Sequence, residues 1–382
     1  MPIELNKISV VLFMDPRGVI LEGGKDVIQR MQSYATSLSK ISPEKEMKIV
    51  IFSSSKEDAI KVVNRDSLIV VNICRPTFNF VDFALKSRRY LKEKRWDIKL
   101  IIGGDPWESF WSARFLNFLR KADVPIQIQV HGDIASDNWK RISIRNRIRF
   151  HLCINSLRKA DSIRTVSLRQ TNQLIDKFNL SYKKFVVVPV PILQLEKIPF
   201  GKNPRPISIS LVGRIHADRG IWNFIELVKL LDSVRSDFKI IIIGAGPSLR
   251  IFLTQISSLI PSTRYRYFGV LNQNSLRKVW SEVGVLVSLA PSESHGRAMR
   301  EALVAGVPVW ATKSSGVNDL VVEAGKDVVK ILDLNQDKEK LSKELDKLLK
   351  TRVSLSLRKR LIKDNSTYAK TLAQSWIDLI TN

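Results

Sequence analysis

The chain of 382 residues is too long for one ordinary core and suits two domains of roughly 150–200 residues each. With 44% hydrophobic residues it can bury sizeable cores, and its two cysteines, Cys74 and Cys153, exclude a disulfide scaffold or a Cys-rich zinc module. Lys and Arg number 62 against 37 Asp and Glu, a formal charge of +25 that nominates nucleic acid, an anionic membrane or an anionic substrate without choosing among them.

The first apolar run, residues 8–14, is stopped by Asp15 and Pro16 and reads as a buried strand, not a signal peptide. No stretch approaches the ~18 apolar residues needed to span a bilayer, so a cytoplasmic protein with at most peripheral membrane contact is expected. Further β-branched runs follow at 47–53, 67–73, 98–103, 125–130, 162–166 and 184–189, with helical-period segments at 25–40, 78–94, 106–121 and 168–178. After the proline-dense stretch 189–206, which reads as an inter-domain linker, strands are expected at 207–213, 238–244, 265–269, 283–290 and 307–312. Runs apolar on both faces mark strands covered on both sides, hence parallel sheets in a doubly wound α/β arrangement.

Within 291–311 the pattern places Glu293 in a loop at the carboxyl end of a strand, where open α/β sheets bind ligands. A helix then runs from about Arg297 to Ala305, capped by Gly306 and followed by Pro308, with Glu301 inside its first two turns. Gly296 at its start allows close backbone approach, and a helix N-terminus is suited to anions. Two glutamates alone would read as solvated surface residues.

The surrounding pattern, Glu293, Gly296, Glu301-Ala302, Gly306, Pro308 and Val309, resembles the Glu-x7-Glu motif of glycosyltransferase family 4, retaining enzymes of the GT-B fold. The segment 211–221 is similar to that family's Gly-Arg phosphate-binding loop, and 240–247, 268–272 and 314–322 extend the likeness over most of 207–331. The resemblance implies two Rossmann-like parallel-sheet domains facing a cleft. It implies an acceptor-side domain at 1–195, a nucleotide-sugar domain at 203–365, and a last helix, 366–382, packing back on the first domain. It also implies transfer of a hexose-like sugar from a nucleoside diphosphate, UDP- or GDP-linked, to a glycan or lipid-linked acceptor, in cell-envelope polysaccharide or lipopolysaccharide synthesis.

Such a transfer breaks the anomeric C–O bond and leaves negative charge on a diphosphate, and fixed cations aimed at that leaving group stabilise the transition state. Arg214 and Arg219 fit the task, Arg219 standing where the family has Lys and keeping the charge with a planar fork. By the resemblance, Glu301 accepts from the ribose hydroxyls, Glu293 with the backbone near Gly296 holds the donor sugar, and Gly213 belongs to the phosphate loop. Gly23-Gly24 resembles the family's glycine loop near donor and acceptor, and His131 at a strand end resembles its active-site histidine; for each, a flexible turn and a structural histidine are the ordinary alternatives. The stretch 157–174 reads as architectural. No resident cofactor and no metal is expected, because the arginines do the metal's work and the chain has no Asp-x-Asp pair.

His295 and Arg300 depart from the apolar or small residues usual in the family, and His295 abuts the expected sugar site. GAGPSL (244–249) begins like a dinucleotide fingerprint, but Leu249 replaces its third glycine. Two basic helices, 84–96 and 138–159, read as a membrane-surface face or as solvated faces of core-packed helices. A basic nucleic-acid binder without a recognisable module, a catalytically weakened GT-B-like binding module, and an epimerase or phosphorylase on the same fold stand as alternatives.

Overall fold

The computed structural model describes residues 8–43, 46–56, 63–65, 67–94, 96–201 and 205–381. Arg95 of the basic run 84–96 and residues 202–204 of the proline-dense stretch, where the second domain is expected to begin, lie outside the described residues, as do 1–7 and Asn382. That run is not helical throughout, since its helix, Phe80–Lys92, is capped at Glu93 and Trp96 already belongs to a strand. The chain divides into two compact units: one of 1–135, 143–193 and 366–382, the other of 136–142 and 194–365.

The first unit is built on β1 (Ile8–Asp15), β2 (Lys48–Ser54), β3 (Val63–Arg65), β4 (Leu68–Cys74), β5 (Trp96–Gly103), β6 (Ile126–Val130), β7 (Ser162–Thr165) and β8 (Phe185–Val187). They form one sheet in the order β3-β4-β2-β1-β5-β6-β7-β8. Every pairing is parallel except the antiparallel edge pair β3–β4, so the expectation of a parallel sheet holds with one added edge strand. Residues 10–14 of β1 are all at most 2% exposed, as a strand covered on both faces requires.

The second unit holds β9 (Ser208–Val212), β10 (Lys239–Ile243), β11 (Tyr265–Tyr267), β12 (Val285–Ser288), β13 (Val309–Ala311) and β14 (Val329–Ile331). Their order, β11-β10-β9-β12-β13-β14, is the Rossmann order, with all pairs parallel. The short strands β3 and β14 fall outside the runs expected from the sequence; three residues are too few to show a period.

The proline-dense stretch is not free chain. Ile192, Leu195 and Ile198 are 1–2% exposed within it. The last helix, Leu355–Thr381, is shared between the units, its residues from Ser366 onward counted with the first. There Trp376 is fully buried among Phe13 and Tyr34, edge-on at 5.6 and 6.1 Å, and its indole N–H donates to Gln127 Oε1 at 2.9 Å.

The segment 138–159 is not one helix. It breaks into Asp137–Arg141 and Ile144–Lys159, because Ser143 adopts extended backbone and its hydroxyl accepts from the Asn146 amide at 3.1 Å, an N-cap that starts a new helix. Nor do its interleaved apolar residues pack inward. Phe150, Cys153 and Leu157 form the buried stripe, while Ile144, Ile148 and Leu152 are 75%, 57% and 57% exposed. No helix among the described residues is long and apolar enough to cross a membrane.

Candidate functional site

In a Rossmann-ordered sheet the strand order reverses between the two strands that begin its halves, and the loops leaving their carboxyl ends diverge to open a crevice. In the second unit those strands are β9 and β12. A cavity of about 320 Å³ lies there, lined from the β9 side by Gly213, Arg214 and Arg219 and from the β12 side by Glu293, Gly296 and Arg297.

The loop geometry follows from local sequence. Gly220, at φ +71°, ends the turn Ala217–Arg219 and starts the helix Ile221–Asp232. A Cβ there would stand 1.9 Å from the Leu289 carbonyl oxygen, so only glycine lets the β9 loop lie against the end of the β12 segment. On the other wall, Gly296 at φ +70° turns the chain into the helix Arg297–Val304, whose first amides receive no side-chain cap.

One ion pair joins the two loops, with Arg219 Nη1 3.3 Å from Glu293 Oε2, and a second lies within the β9 loop, with Arg214 Nη2 2.6 Å from Asp218 Oδ2. The other Glu293 oxygen accepts from the Gly296 amide at 3.2 Å, and the Glu293 carbonyl accepts from the Gly316 amide at 2.7 Å. Glu293 is therefore held from both ends, one face toward a guanidinium. An anion entering this space meets three arginines and uncapped helical amides, and a hydroxyl donor meets a fixed carboxylate.

Of the residues expected at the site, Gly213, Arg214, Arg219, Glu293 and Gly296 thus line one cavity. Glu301 lies farther along the same helix, 5% exposed, and is not among the lining residues. His295 does not line the cavity either. It is 5% exposed, and its carbonyl accepts from Arg300, whose other terminal nitrogen pairs with Glu323 at 2.7 Å. Arg300, itself 7% exposed, braces the 293–296 turn and does not line the cavity. Arg297 was not singled out by the motif; its signal is a basic residue directly after the turn glycine.

Gly23, Gly24 and His131 belong to the first unit. Gly23 and Gly24 open the helix Gly24–Ile41, in the connection that follows β1. That connection is pinned by Asp15, whose buried carboxylate accepts from Ser53 Oγ at 2.6 Å and from the Ile20 and Val19 amides at 2.7 and 3.0 Å. Burial holds the Asp15 carboxyl above its ordinary range. At the corresponding reversal of this sheet, between β1 and β5, Arg17 bridges Asp105 at 2.5 Å and Glu108 at 3.7 Å.

His131 follows β6, with Nε2 3.0 Å from Gln129 Oε1. Surrounding protein first, then the Arg164 and Arg30 guanidiniums, push its imidazole down to about 3. The residue keeps an exposed edge to solvent, which weakens the first cause; the two cations act in the same direction, so the ring is neutral at pH 7.

Residues 194–367 match the family model described as Glycosyl transferases group 1. The uncharacterized glycosyltransferase YqgM of Bacillus subtilis is 25% identical over 175 residues, 45% of this chain and 47% of the relative. The chain spans about half the length of the curated relatives it matches. Among solved structures, Anabaena Alr3699/HepE in complex with UDP and glucose superposes with a TM-score of 0.62 at 14% identity, covering 98% of this chain and 96% of that one. The lipopolysaccharide outer core galactosyltransferase WaaB in its apo form gives 0.64 at 15% identity, covering 98% of each chain. The fold is thus GT-B, and residues 194–367, somewhat under half of the chain, are similar in sequence to the glycosyl transferases group 1 family.

Proposed function

We propose that the chain is a retaining glycosyltransferase of family 4 that moves a hexose-like sugar from a UDP- or GDP-linked donor to a glycan or lipid-linked acceptor. The observation that carries the reading is the cavity at the β9/β12 reversal, where Arg214, Arg219 and Glu293 converge on an uncapped helix N-terminus. Arg214 and Arg219 take the charge that develops on the departing diphosphate; donor binding exchanges the Arg219–Glu293 pair for Arg219–phosphate and frees Glu293 for sugar hydroxyls. Two guanidiniums supply the positive charge a divalent cation would otherwise bring, so transfer proceeds without metal. Glu301 holds the ribose, which requires the helix to present it beyond its present 5% exposure. Gly23, Gly24 and a neutral His131, able to accept or donate a hydrogen bond, serve the acceptor side.

The same proposal places a cytoplasmic enzyme peripherally on the inner face of an anionic membrane, in envelope polysaccharide or lipopolysaccharide synthesis. Its support is the helix Ile144–Lys159, which has no acidic residue, an exposed Ile144-Ile148-Leu152 stripe, and exposed Arg145, Arg147, Arg158 and Lys159. Exposed apolar side chains flanked by cations fit a lipid interface better than bulk water. Helix Phe80–Lys92 adds exposed Lys86, Arg89 and Lys92. The neighbour WaaB acts, by its description, on the lipopolysaccharide outer core.

Steady-state kinetics test the chemistry. Arg214→Ala is expected to lower kcat by about 10²–10³-fold, the usual loss of one transition-state charge partner, with KM for the donor changed much less. Glu301→Ala is expected chiefly to raise that KM. Unchanged kinetics in both variants would remove the assignment.

A further inference from the structure

Arg297 is the first residue of the helix Arg297–Val304 and lines the same cavity as Arg214 and Arg219. Among the described residues it is the one of these three arginines without a carboxylate: Arg214 has Asp218 and Arg219 has Glu293, whereas Arg297 forms no ion pair or hydrogen bond, and its Nε is buried without an acceptor. A buried donor left without a partner is costly. The position compounds the cost, because the amino end of a helix already carries positive partial charge and repels a cation in its first turn. No acidic residue in that turn offsets it. Three cations and uncapped amides thus share one cavity with a single lining carboxylate, Glu293.

We infer that Arg297 is a donor-binding residue, a third guanidinium that grips an anionic oxygen group of the nucleotide sugar. The inference rests on the nucleotide-sugar reading and deepens it. A single diphosphate is already served by Arg214 and Arg219, so the partner of Arg297 is either a further diphosphate oxygen or an acid group on the sugar. Both present the oxygen pair that the guanidinium fork matches. A bound anion would offset the repulsion between this guanidinium and the positive end of the helix.

The test is calorimetric titration of the full chain and of Arg297→Gln and Arg297→Lys with UDP, GDP, UDP-glucose and UDP-glucuronate, together with melting of the unliganded proteins. Arg297→Gln is expected to weaken binding by about tenfold or more, the weight of one charge-assisted contact. Loss across all ligands assigns the diphosphate; loss confined to UDP-glucuronate assigns the sugar's acid group. Arg297→Lys restores part of the affinity. The ligand-free melting temperature of Arg297→Gln stays level or rises, since the variant removes a repelled cation. Affinities within twofold of the wild type, or an affinity loss matched by a lower ligand-free melting temperature, would overturn the inference. A wild-type chain that binds none of the four ligands would instead defeat the nucleotide-sugar reading, and the inference with it.

Discussion

At Gly220 the backbone lies at φ +71°, and a methyl group there would overlap the Leu289 carbonyl. The residue therefore sets the spacing between the loop that carries Arg214 and Arg219 and the segment that leads to Glu293. Gly220→Ala is expected to destabilise by about 3 kcal/mol or more, from a left-handed backbone combined with a backbone clash, and to lower the melting temperature accordingly. A melting temperature within a degree of wild type would contradict this account of the pocket wall. The same residues show what a sequence discloses. Glu293, Gly296, Arg214 and Arg219 were legible because their spacing is fixed by the strand–loop–helix unit that holds them. Arg297 was not, because its meaning depends on having no partner, a fact of three dimensions. His295 is harder to read: its amide lies 3.4 Å from the Glu293 carboxylate, yet the residue is 5% exposed and its carbonyl accepts from Arg300, contacts that chain adjacency alone does not reveal.

Strands and helices with a clear period were legible almost to their ends, as in the helix expected at 168–178 and found at Leu168–Phe178. Interruptions were not. The break at Ser143 rests on a single hydroxyl capping Asn146, which a strong apolar-basic pattern on both sides conceals. Composition also could not say which apolar residues of Ile144–Lys159 face inward; the structure turns Phe150, Cys153 and Leu157 to the core and leaves Ile144, Ile148 and Leu152 outside. That division makes the membrane proposal testable without disturbing the fold. Ile144→Ser, Ile148→Ser and Leu152→Ser combined are expected to abolish co-sedimentation with vesicles containing phosphatidylglycerol while leaving the melting temperature unchanged, since each side chain is already more than half exposed. Vesicle binding that is equal for the triple variant, or independent of the anionic lipid content, would overturn it.

For the molecule as a whole, the formal charge of +25 first stood open to nucleic acid, membrane and anionic substrate alike. The fold divides that excess by location. Three arginines occupy one cavity in the second unit, and a second share lies on exposed helical faces of the first. The parallel, doubly wound architecture was legible from alternating buried runs, because parallel sheets demand residues apolar on both faces; the order of the strands was not, because it is set by pairing between distant segments. The central claim is that the second unit's cavity is a metal-independent nucleoside-diphosphate site. It is tested most directly by titrating the full chain in EDTA with UDP, GDP, ADP and CMP, reading heat and melting temperature together. The account predicts saturable one-to-one binding of one nucleoside diphosphate, undiminished by the chelator and lost on Arg219→Ala. No response to any nucleotide, with tight salt-sensitive binding to DNA or RNA in its place, would contradict it.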